Sequence, residues 1–185
     1  MIDVNDLRKG TTFELDGQLY RVLEYSHVKP GRGNATIRTR VRNLRTGASL
    51  DKTFQSGDRV QDIRIETREM QYLYHDGDLY HFMDTGTFEQ IAMNSDKLED
   101  AVHFMTDNMM MLVEEHNGEY LGVELPTAVD LKVVEATAAV KGDTATGGSK
   151  TVTVETGYRV HVPMFVKQGD TIRIDTRTGE YVTRV

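Results

Sequence analysis

Glycine repeatedly follows a small or polar residue in this chain, and each such dipeptide separates two short runs that favour β-strands. The dipeptides are Asp16-Gly17, Thr46-Gly47, Ser56-Gly57, Asp76-Gly77, Asn117-Gly118, Thr156-Gly157 and Thr178-Gly179. The flanking runs, such as QLYRVLEY, TVTVE and TIRID, are rich in β-branched and aromatic residues. The pattern predicts an all-β fold of many short hairpins, closed into barrels or sandwiches so that strand edges are covered.

Two segments interrupt the hairpin pattern. Ser95 can cap a helix, and apolar residues follow it at helical spacing as far as Met105, so we predict a helix of about two to three turns. The run from Met109 to Val113 is either a methionine cluster that contacts a cofactor or a buried strand. We favour the buried strand, because methionine fills irregular gaps in protein cores.

The charge of the chain is divided unevenly along its 185 residues. Residues 1–64 carry 12 Lys and Arg against 8 Asp and Glu, residues 65–126 carry 2 against 14, and residues 127–185 carry 8 against 7. We therefore predict three domains, 1–64, 65–126 and 127–185, each able to face a different kind of surface. The overall charge of −7 argues against a general nucleic-acid binder.

Cysteine is absent, so disulfides, thiolate metal sites and a cysteine nucleophile are excluded. The N-terminal sequence lacks the apolar stretch of a signal peptide, and no run approaches the roughly 20 apolar residues that a membrane span needs. We expect a soluble cytoplasmic protein that makes no contact with a membrane.

The basic charge of the first third is concentrated between Lys29 and Leu50, where six cations occur without a single acid. Arg38, Arg40 and Arg42 share one face if this segment is a strand, because side chains alternate with a period of two. Such a face is either an exposed surface that keeps the protein soluble or a site that binds a polyanion such as RNA.

The segment VKPGRGNAT, residues 28–36, predicts the tip of a long hairpin. Pro30 fixes one φ angle, and Gly31 and Gly33 permit angles that other residues avoid. Arg32 then projects from the loop with little to pack against. It is either an ordinary loop residue or a guanidinium that positions a partner, since arginine offers five donors and stays charged at any working pH.

Catalytic signals are weak. The run GRGNAT lacks the third glycine and the following helix of a dinucleotide-binding loop. The six histidines show no metal-ligand spacing, and Asp76, Asp78 and Asp84 lack the spacing of a calcium loop. The sequence therefore predicts neither a metal site nor a cofactor, and it favours a protein that acts by binding over an enzyme that uses the acidic middle third.

The chain resembles the family of bacterial translation elongation factor P along its whole length. The most specific similarity is the run KTVTVETGYRVHVPMFVKQG, residues 150–169, and the tip Lys29-Pro30-Gly31-Arg32-Gly33-Asn34-Ala35 also matches the family pattern. The resemblance implies an SH3-like barrel of the KOW type followed by two OB-folds, arranged like the L of a transfer RNA. It also implies a monomeric translation factor without enzymatic activity of its own.

The resemblance further implies binding to both ribosomal subunits between the peptidyl and exit sites. There the family promotes peptide-bond formation by positioning peptidyl-tRNA, and so relieves stalls at consecutive prolines. By this reading the tip residues Lys29, Pro30, Gly31, Arg32, Gly33 and Asn34 contact the peptidyl-tRNA near the peptidyl-transferase centre. Arg38, Arg40 and Arg42 meet RNA backbone, ribosomal RNA included, and Gly142, Asp143, Thr144, Tyr181 and Arg184 meet exit-site mRNA or the small subunit.

Many family members carry a modified lysine at the tip, where this chain has Arg32. Some members with a tip arginine are rhamnosylated, but that subgroup has other flanking residues, so Arg32 is a candidate both for modification and for action as a bare guanidinium. A second hypothesis from the residues alone is a general RNA-binding or ribosome-assembly protein built from the same barrels.

Overall fold

The computed structural model describes residues 1–137 and 148–185, and in these residues the chain is built from 16 strands in three sheets. The helical parts of the described chain are short, the longest being the five-residue 3-10 helix Glu99–His103. The predicted all-β fold is confirmed. All seven glycines of the turn dipeptides lie between consecutive strands with positive φ, as the sequence pattern predicted.

The first sheet has the strand order β1-β6-β2-β3-β4-β5, with every pair antiparallel. Its strands are β1 (Ile2–Asp3), β2 (Thr12–Leu15), β3 (Gln18–Val28), β4 (Thr36–Asn43), β5 (Ser49–Gln55) and β6 (Arg59–Asp62). The β3–β4 hairpin includes the longest strand of this sheet, and β5 pairs with β4 along its length from Thr36 to Arg42.

The second sheet has the order β11-β10-β7-β8-β9. Its strands are β7 (Glu66–Asp76), β8 (Leu79–Asp84), β9 (Gln90–Asn94), β10 (Met110–His116) and β11 (Glu119–Glu124). Strand β10 covers the methionine run from Met110 onward, so the predicted strand is confirmed, but only one face of it is buried: Met111 and Val113 are buried and Met110 is exposed.

The third sheet has the order β14-β13-β12-β15-β16, again with antiparallel pairs. Its strands are β12 (Ala128–Ala136), β13 (Ser149–Val154), β14 (Arg159–Pro163), β15 (Thr171–Asp175) and β16 (Tyr181–Arg184). Alternate residues of β12 and β15 point into an aliphatic core, as the period of two requires for strands with one buried face.

The chain divides into two compact units, one made of residues 1–68 with 113–122 and the other of residues 69–112 with 123–185. In the first unit Phe13 packs against Tyr20 and Phe54, with ring centroids 5.5 and 6.1 Å away. Phe13 is fully buried. Burial of one such side chain stabilises the fold by roughly 1.5–3 kcal/mol.

The predicted helix after Ser95 is not continuous. The α-helix covers only Ser95–Leu98, its N-cap is Asn94 rather than Ser95, and the 3-10 helix follows directly. Glu99 has a φ of +52°, outside the α-helical region, so the chain turns there and cannot continue the α-helix. The helical segment thus has about the predicted length, over Ser95–His103, but it is divided into one α-helical turn and a 3-10 helix.

In the second unit the 3-10 helix is joined to the third sheet by aromatic contacts. Phe104 lies in the core of that sheet, and its ring meets the Tyr158 ring edge-on at 5.1 Å. The His103 ring stacks on Tyr158 at 5.2 Å, while the Thr156 hydroxyl donates to the His103 carbonyl at 2.6 Å. Tyr158 therefore holds residues 103 and 104 in place.

Replacement of Gly179 tests this arrangement. A Cβ atom at Gly179 would lie 2.3 Å from the Tyr158 hydroxyl, and the residue has a φ of +74°. We expect Gly179→Ala to lower the free energy of unfolding by about 2–4 kcal/mol, the sum of the left-handed backbone cost and overpacking. Denaturant unfolding followed by circular dichroism measures this change.

Gly157→Ala is the matched control, because Gly157 has a φ of +86° but no atom within 4 Å of its added Cβ. The free energy of unfolding of this variant should fall only by the cost of the left-handed backbone, about 1–2 kcal/mol. Equal losses in the two variants would show that Tyr158 does not constrain the turn.

Candidate nucleic-acid interface

The β3–β4 hairpin carries most of the basic residues singled out in the sequence. Its ladder runs without a break from Glu24↔Arg40 to Val28↔Thr36, where the seven-residue loop 29–35 begins. Strand β5 supports β4 as far as this end, and the Ser56 amide donates to the Ala35 carbonyl at 2.9 Å. The base of the loop is therefore fixed by a third strand.

The loop beyond this base is open to solvent. The side chains of residues 29–34 are all exposed. Gly33 has a φ of +116°, which a residue with a side chain rarely adopts, so a glycine is needed there. Within the described residues Arg32 makes no hydrogen bond, ion pair or ring contact, and its guanidinium is free to meet a partner.

The three arginines of β4 differ in exposure. Arg38 and Arg40 are exposed, and they alternate with the buried residues Ile37, Thr39 and Val41. Arg42 does not fit the expected exposed face, because its side chain is only 7 % exposed. The alternation ends near Arg42, where β4 from Val41 to Asn43 is buried throughout, so this arginine cannot present a free guanidinium to RNA without rearrangement.

Arg40 is flanked by acids that the sequence run does not contain. The register places Glu24 of β3 on one side of Arg40 and Asp51 of β5 on the other. Directly paired residues share a face of the sheet, with Cβ atoms about 4.5–5.5 Å apart. Arg38 instead lies between Ser26 and Thr53. The positive potential of this face is therefore centred on Arg38.

This pairing could have been found in the sequence. Two strands that mirror each other across residues 29–35 place residue 24 opposite residue 40, and the Thr46-Gly47 turn places residue 51 opposite residue 40. The charge of β4 therefore has to be counted together with the residues of β3 and β5 that pair with it.

Part of the positive charge of the first third is neutralised inside the first unit. Arg21 Nη2 lies 2.8 Å from Glu114 Oε1, and Arg45 Nε lies 2.8 Å from Glu119 Oε1. Arg45 also donates to the Gly17 carbonyl, and the Glu119 carboxylate raises the pKa of Arg45. Arg45 is thus a structural residue, although it belongs to the basic run.

The residues expected to meet mRNA or the small subunit are only partly described. Gly142, Asp143 and Thr144 lie outside the described residues. Tyr181 is half-buried and packs against the core of the third sheet. Arg184 is exposed, with its guanidinium 5.2 Å from the Phe165 ring centroid and 3.6 Å from Asp170 Oδ2. Phe165, itself half exposed, is a neighbour that sequence reasoning missed.

The described residues contain no group of three His, Cys, Asp or Glu side chains placed to hold a metal ion. No helix in the described part of the chain is long and apolar enough to cross a membrane. The fold and the hairpin thus define an all-β protein with an exposed basic tip, which is the kind of surface that binding proteins use.

Comparisons with known proteins give the family. The model of the elongation factor P KOW-like domain matches residues 3–60, that of the elongation factor P OB domain matches 65–123, and that of the elongation factor P C-terminal domain matches 129–184. The elongation factor P of Moorella thermoacetica is 54% identical over 184 residues, and that of Clostridium perfringens strain 13 is 55% identical over 185 residues. Both alignments cover 100% of this chain and of the relative.

The chain belongs to the elongation factor P family, and it is a translation elongation factor. A solved structure of translation initiation factor 5A from Methanococcus jannaschii aligns with 22% identity and a TM-score of 0.48, over 64% of this chain and 90% of that one. The three family models and the relatives confirm the resemblance that residues 29–35 and 150–169 indicated.

The two exposed arginines of β4 are expected to contribute unequally to RNA affinity. Arg38→Gln should reduce the slope of log K against log salt for transfer RNA by about 1, whereas Arg40→Gln should change it less, because Glu24 and Asp51 already offset the charge of Arg40. Fluorescence anisotropy at several salt concentrations measures both slopes.

The double variant Glu24→Gln, Asp51→Asn is the matched control, since it removes the flanking acids and leaves Arg40 in place. The double variant should bind transfer RNA more tightly. When Arg40→Gln is added to it, the salt slope should fall as much as it does in Arg38→Gln. If Arg40→Gln reduces the salt slope as much as Arg38→Gln does while Glu24 and Asp51 are both present, the two acids do not screen Arg40.

Proposed function

We propose that this chain binds the ribosome between the peptidyl and exit sites and promotes peptide-bond formation by positioning peptidyl-tRNA. The stalls it relieves are those at consecutive prolines. Membership of the elongation factor P family supports an interaction with the ribosome. The observation that carries the finer proposal is the tip of the β3–β4 hairpin, where Arg32 is exposed and, within the described residues, unpartnered.

The physical basis is placement of the reactants. Holding reacting groups in the correct geometry can lower a barrier by roughly 7–11 kcal/mol at best, without chemistry by the protein itself. A guanidinium suits this task because its planar fork donates to phosphate oxygens, to a 2′-hydroxyl or to a base edge. The supported base of the loop limits the entropy lost when the tip meets RNA.

The remaining parts of the proposal concern the rest of the chain. The three domains 1–64, 65–126 and 127–185 act as one monomer in the cytoplasm, with the first domain along the peptidyl-tRNA and the third near the small subunit. Arg38 and Arg40 meet RNA backbone, while Lys29, Pro30, Gly31, Gly33 and Asn34 shape the tip around Arg32. Gly142, Asp143, Thr144, Tyr181 and Arg184 form the contact with mRNA or the small subunit.

A general RNA-binding or ribosome-assembly role is the second candidate, and the exposure of Arg38 favours it. In that role the protein would depend on Arg38 and on salt but would be indifferent to Arg32. The two functions therefore predict opposite results for one variant.

Arg32→Ala is expected to slow the synthesis of a peptide with three consecutive prolines by about 10- to 100-fold, the loss of one or two hydrogen bonds from a charged donor. A reconstituted translation system measures the rate. The free energy of unfolding of the variant should lie within about 0.5 kcal/mol of that of the parent protein, because an exposed loop side chain contributes little to stability.

A template without consecutive prolines is the internal control, and its translation should not change. Arg32→Lys keeps the charge but not the planar fork. The rate of synthesis of the proline-containing peptide with this variant should therefore lie between the rates with the parent protein and with Arg32→Ala. Unchanged synthesis of the proline-containing peptide by Arg32→Ala would overturn the proposed role of the tip. Whether Arg32 is modified is decided by the intact mass of the protein from its native host, since an adduct adds mass to the bare chain.

A further inference from the structure

The second compact unit, which does not include the hairpin tip, contains a cavity of its own. The cavity has a volume of about 470 Å³, a size within the range of about 300–1,000 Å³ that small-ligand pockets occupy. It is bounded by the β7–β8 hairpin, by residues 102–107 and by the β13–β14 turn. The elongation factor activity proposed above makes no use of these residues.

One wall of the cavity is a stack of aromatic rings. The His75 ring lies parallel to the Tyr80 ring at 5.1 Å, and Tyr80 stacks on Tyr72 at 5.9 Å. The Tyr72 phenol oxygen is 3.1 Å from His75 Nδ1. Tyr72 is 2 % exposed, so its ring is fixed, whereas Tyr80 is half-buried and His75 is exposed. The wall thus presents the half-buried Tyr80 ring and the exposed His75 ring beside the buried Tyr72 ring.

The lining of the cavity also carries negative charge. Asp107 and Glu155 are exposed carboxylates that line the cavity, and one Glu155 oxygen accepts the Lys132 amide at 2.9 Å. Burial, with the nearby Asp107 charge adding to it, raises the pKa of Tyr72 to about 12, so the phenol keeps its proton. The lining residues include no lysine or arginine.

The walls are held in place by contacts that do not need a ligand. The Asn108 amide donates to the Tyr72 carbonyl at 2.7 Å, and the Tyr72 amide donates to the Met109 carbonyl at 2.8 Å. Thr156 is bonded to the carbonyl of His103, whose ring stacks on Tyr158. The cavity is therefore formed before any partner arrives, which lowers the entropic cost of binding.

We propose that this cavity binds a cationic side chain, arginine above all, from a basic segment of a partner protein. Aromatic faces attract cations, and a guanidinium can stack on a ring while it donates to a carboxylate. Residues 69–112 of the same compact unit, with 9 Asp and Glu against the single cation Lys97, would steer a basic segment toward the site.

Other occupants fit the cavity less well. A nucleic acid would bring phosphates toward Asp107 and Glu155 with no lysine or arginine among the lining residues to neutralise them. A metal ion lacks a set of three ligands anywhere in the described residues. The mixture of rings and carboxylates is instead complementary to a flat cation.

The test uses the pentapeptide acetyl-Ala-Ala-Arg-Ala-Ala-amide and a twin in which citrulline, a neutral analogue of the same shape, replaces arginine. Chemical-shift titration of the whole ¹⁵N-labelled protein is expected to show binding of the arginine peptide at least roughly 10-fold tighter than that of its twin. The shifted amides should include those of Tyr80, Thr106 and Asp107.

Variants locate the binding. Asp107→Asn should weaken binding of the arginine peptide by about 3- to 5-fold, the upper part of the range for an exposed ion pair, and Tyr80→Leu should weaken it by about 3- to 30-fold through loss of the ring face. Asp78→Asn is the matched control, because it removes an exposed acid of the same sheet outside the cavity, and it should change affinity less than about twofold. The affinity of Tyr80→Leu is interpreted only if the circular dichroism spectrum of this variant matches that of the parent protein.

Three outcomes would overturn the proposal. The first is equal affinity for the arginine and citrulline peptides. The second is equal weakening by Asp78→Asn and Asp107→Asn, which would indicate diffuse attraction to an acidic surface. The third is tighter binding of hexauridylate than of the peptide at the same amides, which would make the cavity a nucleic-acid site. None of these results bears on the hairpin tip, which lies in the other compact unit.

Discussion

The pairing of β3, β4 and β5 is the constraint on which the candidate interface depends. Ile37 and Val41 are fully buried in the core of the first sheet, and this fixes the register of β4 against both neighbours. A slip by one residue would bury Arg38 and Arg40 and expose the apolar set, so the core strongly disfavours it. The same register holds β5 beside β4 up to the base of the loop. The position of Arg32 thus follows from the packing of residues far from the tip.

The electrostatics follow from the same register. The sequence contains a run of cations, but the fold distributes them among different tasks. Arg45 is paired with Glu119, Arg42 is buried, and Arg40 lies between two acids. Exposed cations without an acid directly across the sheet therefore remain at Arg38 and in the loop. A net charge counted over a segment says little about the potential of a surface until strand pairing is known.

Most of the fold could be predicted from the sequence because turns are local. Each turn dipeptide places a glycine where positive φ is needed, and that requirement involves only a few neighbouring residues. The register of the β3–β4–β5 ladder is also recoverable, since two turns fix it. The helix after Ser95 was predicted as continuous because its apolar spacing fits a helix, and that spacing does not reveal the positive φ of Glu99, which interrupts it. The cavity beside Tyr80 is lined by elements distant in sequence, which no local pattern reveals.

The central claim is that a strand-supported hairpin delivers the Arg32 guanidinium to the acceptor end of peptidyl-tRNA. A cryo-electron microscopy map of this protein on a ribosome stalled at consecutive prolines tests it most directly. The account predicts the β3–β4 ladder unchanged and the guanidinium within about 3 Å of an RNA oxygen or base edge. A map in which the loop is folded back on the first sheet, or in which Arg32 faces solvent with no RNA beside it, would contradict the account.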